Sequence, residues 1–187
     1  MYITTDNLII KPLEHSDIQN FQLIYPDFYA FQQSIPLVSI NNSLQVSDKL
    51  DACIKELHNL GFGIGTVSTK NDEFVGLAGF SFIEEVNTYE IHYEILPQHI
   101  RKGFETEICN TLIDYAFNNI GLDKLCARAI IGNFNKDRDY INAGFSYMGE
   151  RAIESDGNIY LWNYYELNNE SDLSPSSYSD FESQDFF

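Results

Sequence analysis

EIHYEILPQHIRKGFETEICNTLIDYAF, residues 90–117, passes from an alternating strand through a basic, glycine-bearing turn into an amphipathic helix. Its first part alternates Glu90, His92 and Glu94 with Ile91, Tyr93 and Ile95, the period of a half-buried strand. Pro97 has no N–H to give to a neighbouring strand and ends the pairing. Arg101, Lys102 and Gly103 then gather the densest positive charge of an acidic chain. Beyond Gly103, the residues Ile108, Leu112, Ile113, Ala116 and Phe117 fall on one helical face. Glycine lets a backbone approach a ligand closely, and the first N–H groups of a helix have no internal partners. Strand, basic turn and helix start together describe an anion site, most naturally for phosphate. The bland alternative is a strand–turn–helix whose basic turn is merely solvated.

The flanks supply more elements. Leu8 to Leu13 reads as a first strand, and Ser16 as the N-cap of a helix that Pro26 closes. Pro36 to Asn42 is a connector, and Ser43 to Leu60 has helical apolar spacing with Gly61 as its C-cap. Phe62 to Val67 and Phe74 to Ile83 are strands joined at Lys70-Asn71-Asp72, and with the Glu90 strand they make an antiparallel meander. A short strand over Leu125 to Ile131 precedes NFNKDRDYINAGFSYMG. Two final strands, Phe145 to Ala152 and Asn158 to Leu167, form a hairpin over Asp156-Gly157.

HYEILPQHIRKGFETE resembles motif A of the GNAT N-acetyltransferases, and most nearly the branch that acetylates ribosomal-protein N-termini. Lys102, Gly103, Phe104, Thr106 and Glu107 match that pattern, whereas Ile100, Arg101 and Glu105 depart from it. Downstream, Asn133, Tyr140 and Gly144-Phe145 stand in family register, with Lys136 where serine is common. The resemblance runs from about Thr4 to Leu167. It implies an α/β (α+β) GNAT fold: a central mixed, mostly antiparallel sheet of about seven strands with four helices. It also implies a V-shaped splay between the strand before motif A and the strand after its helix. The domain would span residues 1–167, followed by a tail over 168–187.

By the same resemblance the cosubstrate is acetyl-CoA. Its pyrophosphate would sit on the N–H groups of Arg101 to Thr106 (Arg101, Lys102, Gly103, Phe104, Glu105, Thr106). The backbone around Ile95 and Leu96 would serve the thioester carbonyl, and Asn133 the pantetheine arm. Acyl transfer to an amine needs a neutral amine, donors for the developing oxyanion and a proton for the departing sulfur. Tyr140 is the candidate acid, Glu90 the first candidate base and His92 the second, two residues along the same strand face. Glu105 either lies beside the pyrophosphate, where like charges about 5 Å apart repel by roughly 1 kcal/mol in water, or points away and favours the helix's first turn.

Composition narrows the partners. A net charge of −17 argues against nucleic acid and would draw in a cationic amine: a protein N-terminus, a basic peptide or a polyamine. Acidity serving only solubility is the alternative. No apolar run reaches membrane-spanning length, and MYITTDNLII lacks the marks of a signal peptide. Cys53, Cys109 and Cys126 are scattered and odd in number, which suits reduced thiols in a cytoplasmic protein and no metal set. The histidines show no metal-ligand spacing. A homodimer is compatible with the family resemblance. Residues 168–187 carry five acidic and no basic residues with Tyr178, Phe181, Phe186 and Phe187, the composition of a disordered or loosely docked tail. A domain of this fold without acetyl transfer, working as an interaction module through that tail, is the second functional expectation.

Overall fold

The computed structural model describes residues 1–25, 46–155 and 158–169. Along them run β1 (Ile3–Thr4), β2 (Leu8–Pro12), α1 (Ile18–Ile24), α2 (Val46–Leu60), β3 (Gly65–Thr69) and β4 (Phe74–Ile83). There follow β5 (Thr88–Ile95), α3 (Phe104–Asp114), β6 (Lys124–Ile130), α4 (Phe134–Asn142), β7 (Ser146–Ser155) and β8 (Asn158–Asn168). The eight strands form one sheet in the order β1-β2-β3-β4-β5-β6-β8-β7. The connector expected at 36–42, the hairpin turn at Asp156-Gly157 and nearly all of the tail lie outside the described residues.

Local chemistry accounts for most boundaries and for the departures. The strand expected from Phe62 begins at Gly65, because Gly63 and Gly65 thin the ladder and the Phe62 ring packs against Phe80 and Tyr89 at 5.9 and 5.1 Å. Ser16 is not an N-cap: a 3-10 turn over His15–Asp17 precedes α1, and the Asp17 carboxylate accepts from the Glu14 N–H at 3.0 Å. A short edge strand, β1, joins the sheet by pairing Ile3 with Ile10. The motif helix α3 runs on into a π-helical turn over Tyr115–Ile120, which left-handed Gly121 terminates.

Helices cover both faces of the sheet. On one face Phe21 and Tyr25 of the α1 segment and Leu50, Cys53 and Ile54 of α2 pack on Leu13, Ile64 and Leu77. On the other, Ile108, Leu112 and Ala116 of the α3 segment and Tyr140 of α4 pack on Phe80, Ile91, Tyr93 and Ala127. Leu112 is fully buried, so its truncation to alanine would cost about 2–5 kcal/mol.

One pairing opens the sheet. Adjacent strands are antiparallel except β5 and β6, which run parallel and pair only at Tyr89–Leu125 and Glu90–Cys126. Past that point β5 stays with β4 as far as Ile95–Gly76, and β6 stays with β8 as far as Ile130–Trp162. The two halves therefore part in a V beyond Glu90, as the sequence resemblance implied.

Candidate active site

The basic turn is built around a buried histidine. Pro97–His99 form a 3-10 turn, and His99 is fully buried. A carbonyl only accepts, so His99 Nε2 donates to Phe74 O at 3.2 Å, which leaves Nδ1 to accept from Lys102 Nζ at 3.2 Å. The Lys102 N–H, expected at the phosphates, instead donates to His99 O at 3.3 Å, and the Lys102 side chain turns back to secure the loop. Arg101 holds φ 67°, a left-handed conformation that favours glycine, and Gly103 follows at φ 84° with open space beside it. The first i→i−4 bond of α3 runs from Glu107 N to Gly103 O at 3.1 Å. The amides of Gly103, Phe104, Glu105 and Thr106 precede it, so they have no partner one turn back and point out of the helix start.

Beside this helix start lies a cleft of about 480 Å³ lined by Ile100, Arg101, Gly103, Glu105, Thr106, Asn135, Arg138 and Asp139. Glu105 lines the cleft, facing Asp139. Burial first, then the Glu105 charge, raises the Asp139 carboxyl above its usual range. Two guanidinium groups and two carboxylates give the lining no net side-chain charge. The attraction for an anion therefore rests on helix amides and Arg101 and Arg138, with Glu105 and Asp139 opposing it. This donor set fits a pyrophosphate.

The V holds a second cleft of about 200 Å³, lined by Glu90, His92 and Glu94 of β5, Arg128 of β6, Asn133, Lys136 and Tyr140 around α4, and Trp162 of β8. The strand alternation that sent Ile91 and Tyr93 into the core puts the three polar residues here. Two ion pairs cross the V. At its apex, where backbone pairing stops, Arg128 Nε and Nη2 donate to the two Glu90 oxygens at 2.8 and 2.5 Å, with both side chains buried. Farther up, Lys136 Nζ donates to Glu94 Oε1, and it lies 5.2 Å from the Tyr93 ring centroid.

The expected catalytic residues converge on this cleft, but their environments differ from a bare reading of the strand. Glu90 engages Arg128 through both oxygens. His92 is buried, hydrogen-bonds Tyr25 Oη at 2.7 Å, and is pushed down to about 3 by burial and then by Lys136. It is a neutral imidazole and a weak base. Burial raises the Tyr140 hydroxyl well above its usual range, and its ring packs among Tyr93, Phe145 and Tyr165 at 5.9, 5.7 and 5.6 Å. Asn133 caps α4 by accepting from Lys136 N at 3.3 Å, at the border between the two clefts. The Leu96 amide, expected to serve the thioester, is committed to Val75 O at 2.9 Å; Ile95 keeps β4 in register through Gly76.

Arg128, Glu94, Lys136, Arg138 and Trp162 were not singled out as site residues in the sequence. A lone arginine inside the apolar run LCARAI was a usable signal, because a charge in a buried strand needs a partner. The Trp162 Nε1–H is buried without a hydrogen-bond partner among the described residues. A larger groove of about 640 Å³ between β1 and the outer side of α3 lies away from the V, and its Glu107 is already bound by Thr5 and Asn7. Among the described residues no cluster of three metal-ligating side chains forms, and no helix is long and apolar enough to cross a membrane.

Comparison with known proteins agrees with this fold. The family model described as an acetyltransferase (GNAT) domain matches residues 7–146. An uncharacterised N-acetyltransferase of Bacillus subtilis, YoaA, is 25% identical over 171 residues, covering 84% of this chain and 94% of that one. Among solved structures, the RimL ribosomal L7/L12 alpha-N-protein acetyltransferase in complex with coenzyme A superposes with a TM-score of 0.71 at 18% identity, covering 92% of this chain and 100% of that one. A spermidine N-acetyltransferase SpeG chimera involving Vibrio cholerae gives 0.66 at 17% identity, covering 86% of this chain and 95% of the other. These two likenesses establish a shared fold.

Proposed function

The chain belongs to the GNAT acetyltransferase family, and from that premise we propose that it transfers acetyl from acetyl-CoA to a primary amine admitted to the V. The observation that carries this reading is the pair of clefts bordering α4, one at the free amides of the α3 start and one between the parted strands. Asn133 and Lys136 on the one side, and Asn135 and Arg138 on the other, make α4 the shared wall.

When bound, acetyl-CoA supplies an activated acyl group whose transfer leaves a thiol. The amides of Gly103 to Thr106, with Arg101 and Arg138, would hold its phosphates, and Lys102 would keep the turn in shape through His99. Asn133 would hold the arm at the cleft border. Glu94 would take the proton of the acceptor amine, because its carboxylate, though paired with Lys136, is partly exposed on the cleft, while His92 is a weak base and Glu90 is buried and bound twice over by Arg128. Glu90 and His92 then shape and orient the acceptor side. Tyr140, protonated far above neutral pH, would donate a hydrogen bond to the departing sulfur, which would take its proton from the acceptor nitrogen as the amide forms.

Supporting the amine as acceptor are the relatives' own names: one acts on a ribosomal-protein N-terminus and another on spermidine. The acidity of the whole chain favours a cationic acceptor of either kind. The test is a calorimetric titration with acetyl-CoA, followed by turnover with N-terminal peptides and spermidine. Absence of binding at millimolar acetyl-CoA would reject the enzyme and leave the interaction-module reading. Tyr140→Phe should lower kcat by about 10²-fold or more while leaving acetyl-CoA affinity nearly unchanged; undiminished kcat would remove Tyr140 from the reaction.

A further inference from the structure

Lys136 stands one helical turn before Tyr140, so both side chains project from the same face of α4 into the V. No other lysine of the described residues lines that cleft. Its Nζ donates to Glu94 Oε1, and its side chain is only 18% exposed, against the Tyr93 ring. An amine already in contact with a carboxylate, inside the cleft proposed for acyl transfer, has the two groups that aminolysis of a thioester requires.

Resting on the acetyl-transfer reading above, we propose that Lys136 is itself an acetyl acceptor, so that the chain modifies its own cleft. Glu94 takes one proton from the Lys136 ammonium. Nζ then forms a bond to the acetyl carbonyl carbon as the carbon–sulfur bond breaks, and the electron pair goes to sulfur. The second Nζ proton passes to that sulfur, and the products are Nε-acetyl-Lys136, coenzyme A thiol and one proton released through Glu94. No oxidant or further reactant is needed.

Placement decides which lysine reacts. An ordinary lysine is almost wholly protonated near pH 7, a handicap that surface lysines share. A well-placed internal nucleophile has an effective molarity of about 10⁵ M or more. Even with most of that advantage lost to imperfect alignment, Lys136 should react at least about 100-fold faster than a surface lysine meeting millimolar acetyl-CoA. The product is neutral, so acetylation removes the Glu94–Lys136 ion pair and leaves Glu90–Arg128 as the remaining one across the V.

The experiment incubates the full chain with acetyl-CoA and no added amine, and follows tryptic peptides by mass spectrometry. Acetylation blocks cleavage after Lys136, so a peptide spanning Ala129 to Arg138 replaces one ending at Lys136. That peptide should accumulate at least about 100-fold faster than label on exposed Lys55 or Lys70, at a rate independent of protein concentration. Lys136→Arg should abolish it and Glu94→Gln should slow it by about 10-fold or more. Calorimetry on the same samples reports acetyl-CoA binding. Binding with Lys136 labelled no faster than Lys55 and Lys70 overturns self-acetylation and leaves the acetyltransferase reading standing. No binding overturns both.

Discussion

Glu105 and His92 show how single side chains set the chemistry of this fold. Glu105 lines the cleft at the α3 start and raises Asp139 through its charge, so it contributes negative charge where a pyrophosphate would lie. Two unit charges about 5 Å apart interact by roughly 1 kcal/mol in water and by more where solvent is excluded. Glu105→Ala is therefore expected to tighten acetyl-CoA binding by about 4-fold or more in calorimetry. Equal affinity would mean that this carboxylate does not oppose the phosphates. His92 carries a pH signature. It sits near 3 in the folded protein through burial, Lys136 and Arg128, with Glu94 acting in the opposite direction. An unfolded histidine titrates near 6.5, so between about pH 6.5 and 3 the unfolded chain binds a proton that the folded one does not. The stability His92 contributes is complete above about pH 6.5 and is lost as pH falls toward 3, with a slope of at most about 1.4 kcal/mol per unit. His92→Phe should flatten the decline of urea-unfolding stability between about pH 6 and 4 by about that slope. An unchanged slope would assign acid lability to other groups.

At the scale of elements, the V is a local failure of pairing stabilised by side chains. β5 and β6 share two register pairs, and the buried Glu90–Arg128 bridge begins where the ladder ends. Removing one partner from a buried pair leaves an uncompensated charge, at a cost of about 3–5 kcal/mol. Arg128→Met should lower unfolding stability by about that much, and Glu90→Gln with Arg128→Met should recover most of it. If the double variant is as unstable as the single one, Arg128 acts through its packing over the Trp162 ring, 5.6 Å away, and not through the pair. The strand–turn–helix of residues 90–117 was legible because its cues are local: alternation, Pro97, Gly103 and helical spacing. The delayed start of β3 and the lysine-to-histidine anchor of the turn were not, since each depends on what the tertiary structure brings beside it. Likewise Glu94 and Lys136 lie 42 residues apart, and nothing in either neighbourhood announces their contact. Family register drew attention to Lys136 as a substitution for serine; only the fold shows what it touches.

Across the whole molecule, charge is distributed unevenly between surface and site. The chain carries −17 overall, yet both carboxylates of the V that face β6 and α4 are matched by Arg128 and Lys136, and the helix-start cleft balances Arg101 and Arg138 against Glu105 and Asp139. Any attraction of a cationic acceptor would then come mainly from the long-range field of the surface, not from an unpaired carboxylate among the described residues that line the V. Such a field is screened, since the Debye length shrinks from about 30 Å at 0.01 M to about 8 Å at 0.15 M ionic strength. Steering by protein charge raises encounter rates by about 10-fold or more at low salt. For a polycationic acceptor, kcat/KM should therefore fall about 10-fold across that salt range, with KM carrying the change and kcat nearly constant. A short peptide with one amine and no other charge should show a much flatter profile. If the polycation profile is equally flat, surface acidity does not steer the acceptor and serves solubility alone; if kcat falls instead, salt acts inside the V, on the ion pairs that hold its two arms.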